Sequence, residues 1–167
     1  MVAAMKIHEM SATMTGTDKT ASTVRFKLAD DATIDSNNPI TIPSSGENYR
    51  RSMHKKLRMF CATAPGTQVD NLQMYSDGAN GFGTGVAVNA SNVGVTWAAN
   101  ATSALTDGAD LFGFTSVAPM NIDAVDTAAI VATGYGGDIV ALQMVVASTA
   151  SPGALTDETI TFSYDEI

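Results

Sequence analysis

Apolar and polar side chains alternate along this chain in short runs separated by Gly, Pro, Asn and Asp. Most runs have the two-residue period of a strand with one face in a core. Ala21–Leu28 sets Val24, Phe26 and Leu28 against Thr23, Arg25 and Lys27, which predicts a strand with one wet face. Met5–Met10 reads as an edge strand, and Ser11–Thr20 as a polar loop or arm. Pro39 and Pro43 confine Ile40–Ile42 to a short edge piece. Arg50–Cys61 is the clearest long strand. Met53, Leu57, Met59 and Cys61 share one face, and His54, Lys56 and Arg58 share the other, joined by Phe60. Val69–Tyr75 and Val86–Val88 flank a glycine-rich turn. Val93, Val95 and Trp97 alternate in a further strand, with Trp97 as a core anchor. Asp138–Thr149 is apolar almost throughout and predicts a strand buried on both sides for part of its length. Glu158–Asp165 closes the chain with Ile160, Phe162 and Tyr164 inward and Thr159, Thr161 and Ser163 outward.

Between these runs, Ala98–Leu105 has the option of a short helix. Ala124–Thr133 has no decisive period, and Gly134-Tyr135-Gly136-Gly137 reads as a turn. Roughly eight strands with turns between them, and no strand–helix rhythm, predict an all-β fold. The expected architecture is a two-layer antiparallel β-sandwich of jelly-roll or Ig-like type, with a closed β-barrel as the alternative. Residues 21–167 read as a single domain, and residues 1–20 as an N-terminal arm or edge strand.

Composition narrows the class. Only 16% of the 167 residues are charged, so Thr, Ser, Asn and Gly must supply much of the polar surface. The single Cys61 excludes a disulfide scaffold within one chain. The longest apolar run, Ile139–Ala147, is broken by Gln143 and is too short to span a bilayer. The first residues lack a basic stretch followed by an apolar one, so no signal peptide is expected. A net charge of −8 argues against nucleic acid as a partner. The charge is unevenly placed. All nine Lys and Arg lie at or before Arg58 with six acids, which gives +3, and the eleven acids that follow have no base among them.

Catalytic chemistry finds little material. His8 and His54 sit in no motif, Cys61 lies on the apolar face of its strand, and no Gly-x-Ser-x-Gly is present. The same shortage of ligands argues against zinc. Asp77, Asn80, Asp107 and Asp110 offer oxygens to calcium, but a complete calcium loop is missing, and Asp or Asn beside Gly is ordinary turn chemistry. No enzyme activity, cofactor or metal is expected. The stretch Leu72–Val88 holds Asp77-Gly78, Asn80-Gly81, Gly83 and Gly85. It lacks the lysine and following helix of a phosphate loop and predicts an exposed hairpin corner at one end of a sandwich. Two groups remain as candidate partner contacts. One is the basic run Arg50, Arg51, Lys55, Lys56 and Arg58, suited to an acidic partner surface. The other is Asp77, Asn80 and Phe82 on the glycine turn. Trp97, Tyr75, Phe82 and Tyr135 together offer the alternative of a glycan-stacking platform.

Several segments resemble a group of tailed-phage and prophage virion proteins. These are Val24–Ala32, Asn37-Asn38-Pro39-Ile40, Lys56-Leu57-Arg58, Asn71–Val86, Gly136–Val140 and Thr159–Glu166. The group comprises β-sandwich decoration or cement proteins of the capsid surface and other minor structural proteins. The resemblance covers most of residues 21–167 and carries no catalytic residues. It implies a non-enzymatic virion structural protein on the capsid surface, made in the host cytoplasm. The major capsid protein and copies of itself would be its partners, commonly as a trimer. Neither nucleic acid nor membrane is implied as a partner. A glycan-binding module on the virion, or a tail or neck component, is the alternative.

Overall fold

The computed structural model describes residues 2–11, 13, 15–44, 46–93, 95, 102–123, 129–153 and 155–167. The strands are β1 (Ala4–Met10), β2 (Gly16–Asp18), β3 (Tyr49–Arg51), β4 (Lys55–Thr63), β5 (Val69–Ser76), β6 (Val86–Ser91), β7 (Ala109–Asp110), β8 (Met120–Asn121), β9 (Gly134–Ala147) and β10 (Ile160–Glu166). A 3-10 turn, Leu111–Gly113, follows β7. Seven strands form a large antiparallel sheet in the order β2-β1-β4-β9-β6-β7, with β3 also paired to β9. Three form a small sheet, β10-β5-β8. The large sheet ends at β2 and β7 without closing, so the fold is a two-layer β-sandwich and not a barrel.

β9 is the axis of the large sheet. Val140, Leu142, Met144 and Val146 point into the core, where they meet Leu57 and Met59 of β4, Val88 of β6, and Leu72 and Met74 of β5. Its other face is buried as well, at Ile139, Ala141 and Gln143. The expected double burial of this strand is therefore present. Gln143 donates both amide hydrogens there, to the carbonyls of Ser52 (3.1 Å) and Ser103 (2.8 Å), while its buried Oε1 has no hydrogen-bond partner among the described residues.

Several local expectations need correction. The long strand Arg50–Cys61 is one run alongside β9, broken at residues 52–54. There Ser52 Oγ accepts from the amide of Met144 and substitutes for a ladder bond. Gly134–Gly137 is not a turn but the start of β9, paired with Cys61, Phe60 and Met59. A bulge follows, with Gly137 at φ +69°. β1 is not an edge, since β2 and β4 flank it, and the polar stretch after it returns as β2 at the sheet edge. Ala21–Leu28 forms no ladder. Val24 and Phe26 do pack on the core, but Leu28 is exposed and Lys27 fully buried, the reverse of the pattern expected for their faces. The region offered as a helix, Ala98–Leu105, is non-helical at residues 102–105. Residues 96–101, Trp97 among them, and residues 124–128 lie outside the described residues, and so do the core anchor and the strand end expected at Trp97.

The largest correction concerns the glycine turn. β5 belongs to the small sheet and β6 to the large one, and they do not pair. Residues 77–85 are therefore a crossover between sheets and not a hairpin corner. Asx turns shape it. Asp77 Oδ1 accepts from the amide of Ala79 (2.9 Å) and Asn80 Oδ1 from that of Phe82 (3.1 Å). Asn80 Nδ2 donates onward to the carbonyl of Val86 (2.8 Å). Gly85 is the tightest point. Its φ is +81°, and a Cβ there would lie 2.6 Å and 2.8 Å from the backbone N and Cα of Ala150. Gly83 has a similar φ, +85°, with open space around it.

Those two glycines separate backbone strain from collision. Gly83→Ala should destabilise by about 1–2 kcal/mol from the left-handed conformation alone. Gly85→Ala adds the backbone clash and should cost about 3 kcal/mol or more. Gly81→Val meets only the ends of the Glu158 and Thr156 side chains and should be milder than either. Urea unfolding midpoints check this order, and a Gly81 variant less stable than the Gly85 variant would contradict it.

Candidate functional site

The basic run of the sequence does not form one surface patch. Lys55 points into the sandwich, where its Nζ lies 2.9 Å from Glu9 Oε1 and donates to the carbonyl of Asp31 (2.6 Å). Lys19 approaches the other oxygen of Glu9 at 3.7 Å and donates to the carbonyl of Ala32 (2.8 Å). Lys27 holds the same loop from a third side, with Asp31 at 2.6 Å, Asp35 at 3.3 Å and the carbonyl of Thr33 at 3.1 Å. Three buried lysines thus clasp the acidic loop 29–35 over one end of the core. Ions this far from water are stable only when paired and hydrogen-bonded.

The remaining bases of the run are also engaged. Lys56 is buried, which pushes its ammonium pKa down against the opposing charge of Asp30. Arg58 Nε donates to the carbonyl of Gly137 (2.9 Å). Arg50 pairs with Glu47 (2.9 Å) and donates to Thr41 Oγ1. Arg51 lies over the ring of Tyr49, 4.2 Å from its centroid. Residues far apart in the sequence supply the partners of Lys55 and Arg58, so nothing in the local pattern marks Lys55 as internal or Arg58 as engaged.

The turn residues are separated from that run. Asp77 and Asn80 are exposed on the crossover, their oxygens taken by the Asx turns. Phe82 is half-buried and packs edge-on against Phe112, with centroids 6.1 Å apart. Of the four aromatics proposed as a platform, the three described ones do not converge. Tyr75 lies on the outer face of the small sheet, Tyr135 on the outer face of the large one and Phe82 on the crossover. Trp97 is outside the described residues. Among the described residues no group of three or more His, Cys, Asp and Glu side chains is placed to hold a metal ion. Asp110 instead caps the 3-10 turn by accepting from the amide of Phe112 (3.2 Å). Burial raises the pKa of the Cys61 thiol, whose Sγ bonds the carbonyl of Thr63 (3.1 Å), so it is a poor nucleophile.

What the large sheet does present is an aromatic cluster on its outer face. His8 of β1 stacks on Phe60 of β4, with centroids 4.7 Å apart and planes at 15°. Tyr135 of β9 meets both rings edge-on, at 5.6 Å and 5.0 Å, and its hydroxyl is 3.0 Å from His8 Nδ1. Tyr135 remains 38% exposed. Lys6 and Asp18, paired at 2.7 Å, border the cluster, and this pairing holds the Asp18 carboxyl well below the usual range. Partial burial lowers the His8 pKa; Asp18 opposes this and Lys6 adds to it. The imidazole therefore stays neutral and stacked near pH 7. The sequence signal for this cluster was the outward parity of Phe60, but the register that sets His8 and Tyr135 beside it comes only from pairing of β1 and β9 with β4. Comparison of the chain with family models, with curated proteins and with solved structures finds no match in any of the three.

Two measurements test the lysine clasp. Glu9→Gln removes the shared anion and should destabilise by about 3–5 kcal/mol, while adding Lys55→Met should restore part of that loss. A single variant within 1 kcal/mol of the wild type, to order of magnitude, would refute the clasp as an energetic unit. Lys27 also holds the Asp31 carboxyl down to about 2. A depressed carboxylate stabilises above its unfolded value near 4 and loses that contribution as pH falls through about 2. Proteolysis of loop 29–35 should therefore accelerate between those limits. In Lys27→Met it should begin at higher pH.

Proposed function

We propose that this protein is a non-enzymatic virion structural protein of the capsid-decoration type, which binds the major capsid shell and stabilises it. The resemblance of its turn and strand-end segments to tailed-phage decoration proteins supplies the class. The observation that carries a binding role is the aromatic cluster His8, Phe60 and Tyr135 on the outer face of a seven-stranded sheet. Exposed aromatics held on a rigid face are the usual anchors of protein interfaces, where a few such residues dominate affinity. The outer face of an open sheet suits broad contact with a shell more than it suits a small substrate, which calls for a concave pocket. On this reading the protein adds interface area between capsomers, in copies matched to the shell lattice, and resists expansion by mass action.

Quantitative mass spectrometry of purified particles tests the reading. Capsid-wide decoration requires a copy number in fixed proportion to the shell protein. A few copies would indicate a tail or neck component, and absence from the particle would end the proposal. A paired Phe60→Ser and Tyr135→Ala variant should fold yet load onto shells at least about tenfold less well, as expected for loss of central aromatic anchors.

A further inference from the structure

Seven strands face three, so the small sheet covers only part of the large sheet's inner face. Beside β10 the two layers part around a cavity of about 950 Å³. Leu142, Met144 and Val146 of β9 form its floor, Ile160 and Phe162 of β10 one wall, and Phe26 part of the opposite rim. Phe26, Ile160 and Phe162 are only partly buried. β10 pairs with β5 on one side, and among the described residues no strand pairs with its other edge. An apolar cleft beside an open strand edge has the geometry that accepts an added strand.

The charges at the mouth select the occupant. Asp157 and Glu158 line the cavity just before β10, and neither pairs with a lysine or arginine among the described residues. Carboxylates there disfavour a fatty acid or an anionic headgroup, and an open backbone edge calls for peptide N–H and C=O groups. The chain's own segment Thr20–Phe26 runs along the rim. It is held by the Lys19 and Lys27 anchors at its two ends, with Val24 and Phe26 packed inward, and it is not part of a ladder.

We propose that the cleft and the open edge of β10 form a strand-addition site for an extended arm of another protein chain. The arm would carry apolar side chains inward and basic ones toward Asp157 and Glu158. This deepens the capsid-binding reading by naming the mode of one contact, and it rests on that reading only for the source of the arm. Added at β10, a fourth strand widens the small sheet and seals the cavity. Apolar residues of the arm, at every second position, meet Phe162 and Met144.

The probe is the end-blocked peptide Thr-Val-Arg-Phe-Lys-Leu, which copies the alternation of residues 23–28, added to the purified full chain. Calorimetry should show saturable binding. Hydrogen exchange should show new protection at residues 160–164. A peptide with glutamate in place of arginine and lysine should bind at least about tenfold more weakly. The surface variant Asp157→Lys/Glu158→Lys should lose a similar factor while melting as the wild type does. No binding, equal binding of the acidic peptide, or protection confined to other strands would overturn the site. Because the assay uses no shell, its failure would leave loading onto particles as a separate question.

Discussion

The interior of a sandwich is stable only where both layers cover it, and here the layers differ in width by more than twofold. The excess inner face of the large sheet must be covered by chain that is not strand. Residues 20–42 do this, laying Val24, Phe26, Ile40 and Ile42 against the core. Irregular chain gains little from backbone ladders and needs other anchors. Lys19, Lys27 and Lys55 supply them by gripping carbonyls and carboxylates of the loop. The choice of lysine follows from reach. Four methylenes cross apolar surface while the ammonium finds its oxygens at the end. Glu9, on the inner face of β1, is the counter-charge that makes two of those ammoniums tolerable inside.

The same clasp explains which parts of the fold were legible in the sequence. β5 and the apolar part of β4 alternate inward and outward, β9 shows as a long apolar run and β10 as a closing alternation, so the local pattern located the bodies of these strands, though not the bulges in β4, β9 and β10 or the glycine-rich start of β9. Their pairing was not legible, because Asp-Gly and Asn-Gly serve a hairpin and a crossover equally well. The decision between the two at residues 77–85 rests on which sheet takes β6. Ala21–Leu28 carries true alternation at Val24 and Phe26, yet its backbone meets no neighbouring strand. A period of two reports which side chains face the core, not whether a ladder forms. The four glycine-tyrosine residues that open β9 look like a turn because small residues usually do. Here Gly136 is small because Ile130 packs where its side chain would be.

Charge was the hardest property to read. A basic run along a strand suggests an exposed stripe, and the assumption behind that is that charge faces water. Lys55 breaks it because its partner is 46 residues away, and Lys56 because it is buried although its position points outward. The consequence reverses the expected electrostatics of docking. Ion pairs within the first 55 residues absorb Lys6, Lys19, Lys27, Arg50 and Lys55. On the small sheet Asp165 stands directly opposite Asp70, with Glu166 beside them, and amides of Asn71 and Gln68 rather than cations serve the two aspartates.

The molecule therefore presents two different surfaces. The outer face of the large sheet offers aromatic rings with a locally balanced Lys6–Asp18 pair, which favours contact through area and shape. The β10 side offers carboxylates beside an open strand edge, which favours basic, extended chain. Surface carboxylates at ordinary ionic strength steer encounters over about 8 Å and are screened beyond it. Rings add little at that range but hold once contact is made. On the proposed reading, charge would guide the approach to a shell and packed area would hold the contact, the two tasks falling to residues on opposite layers of the sandwich.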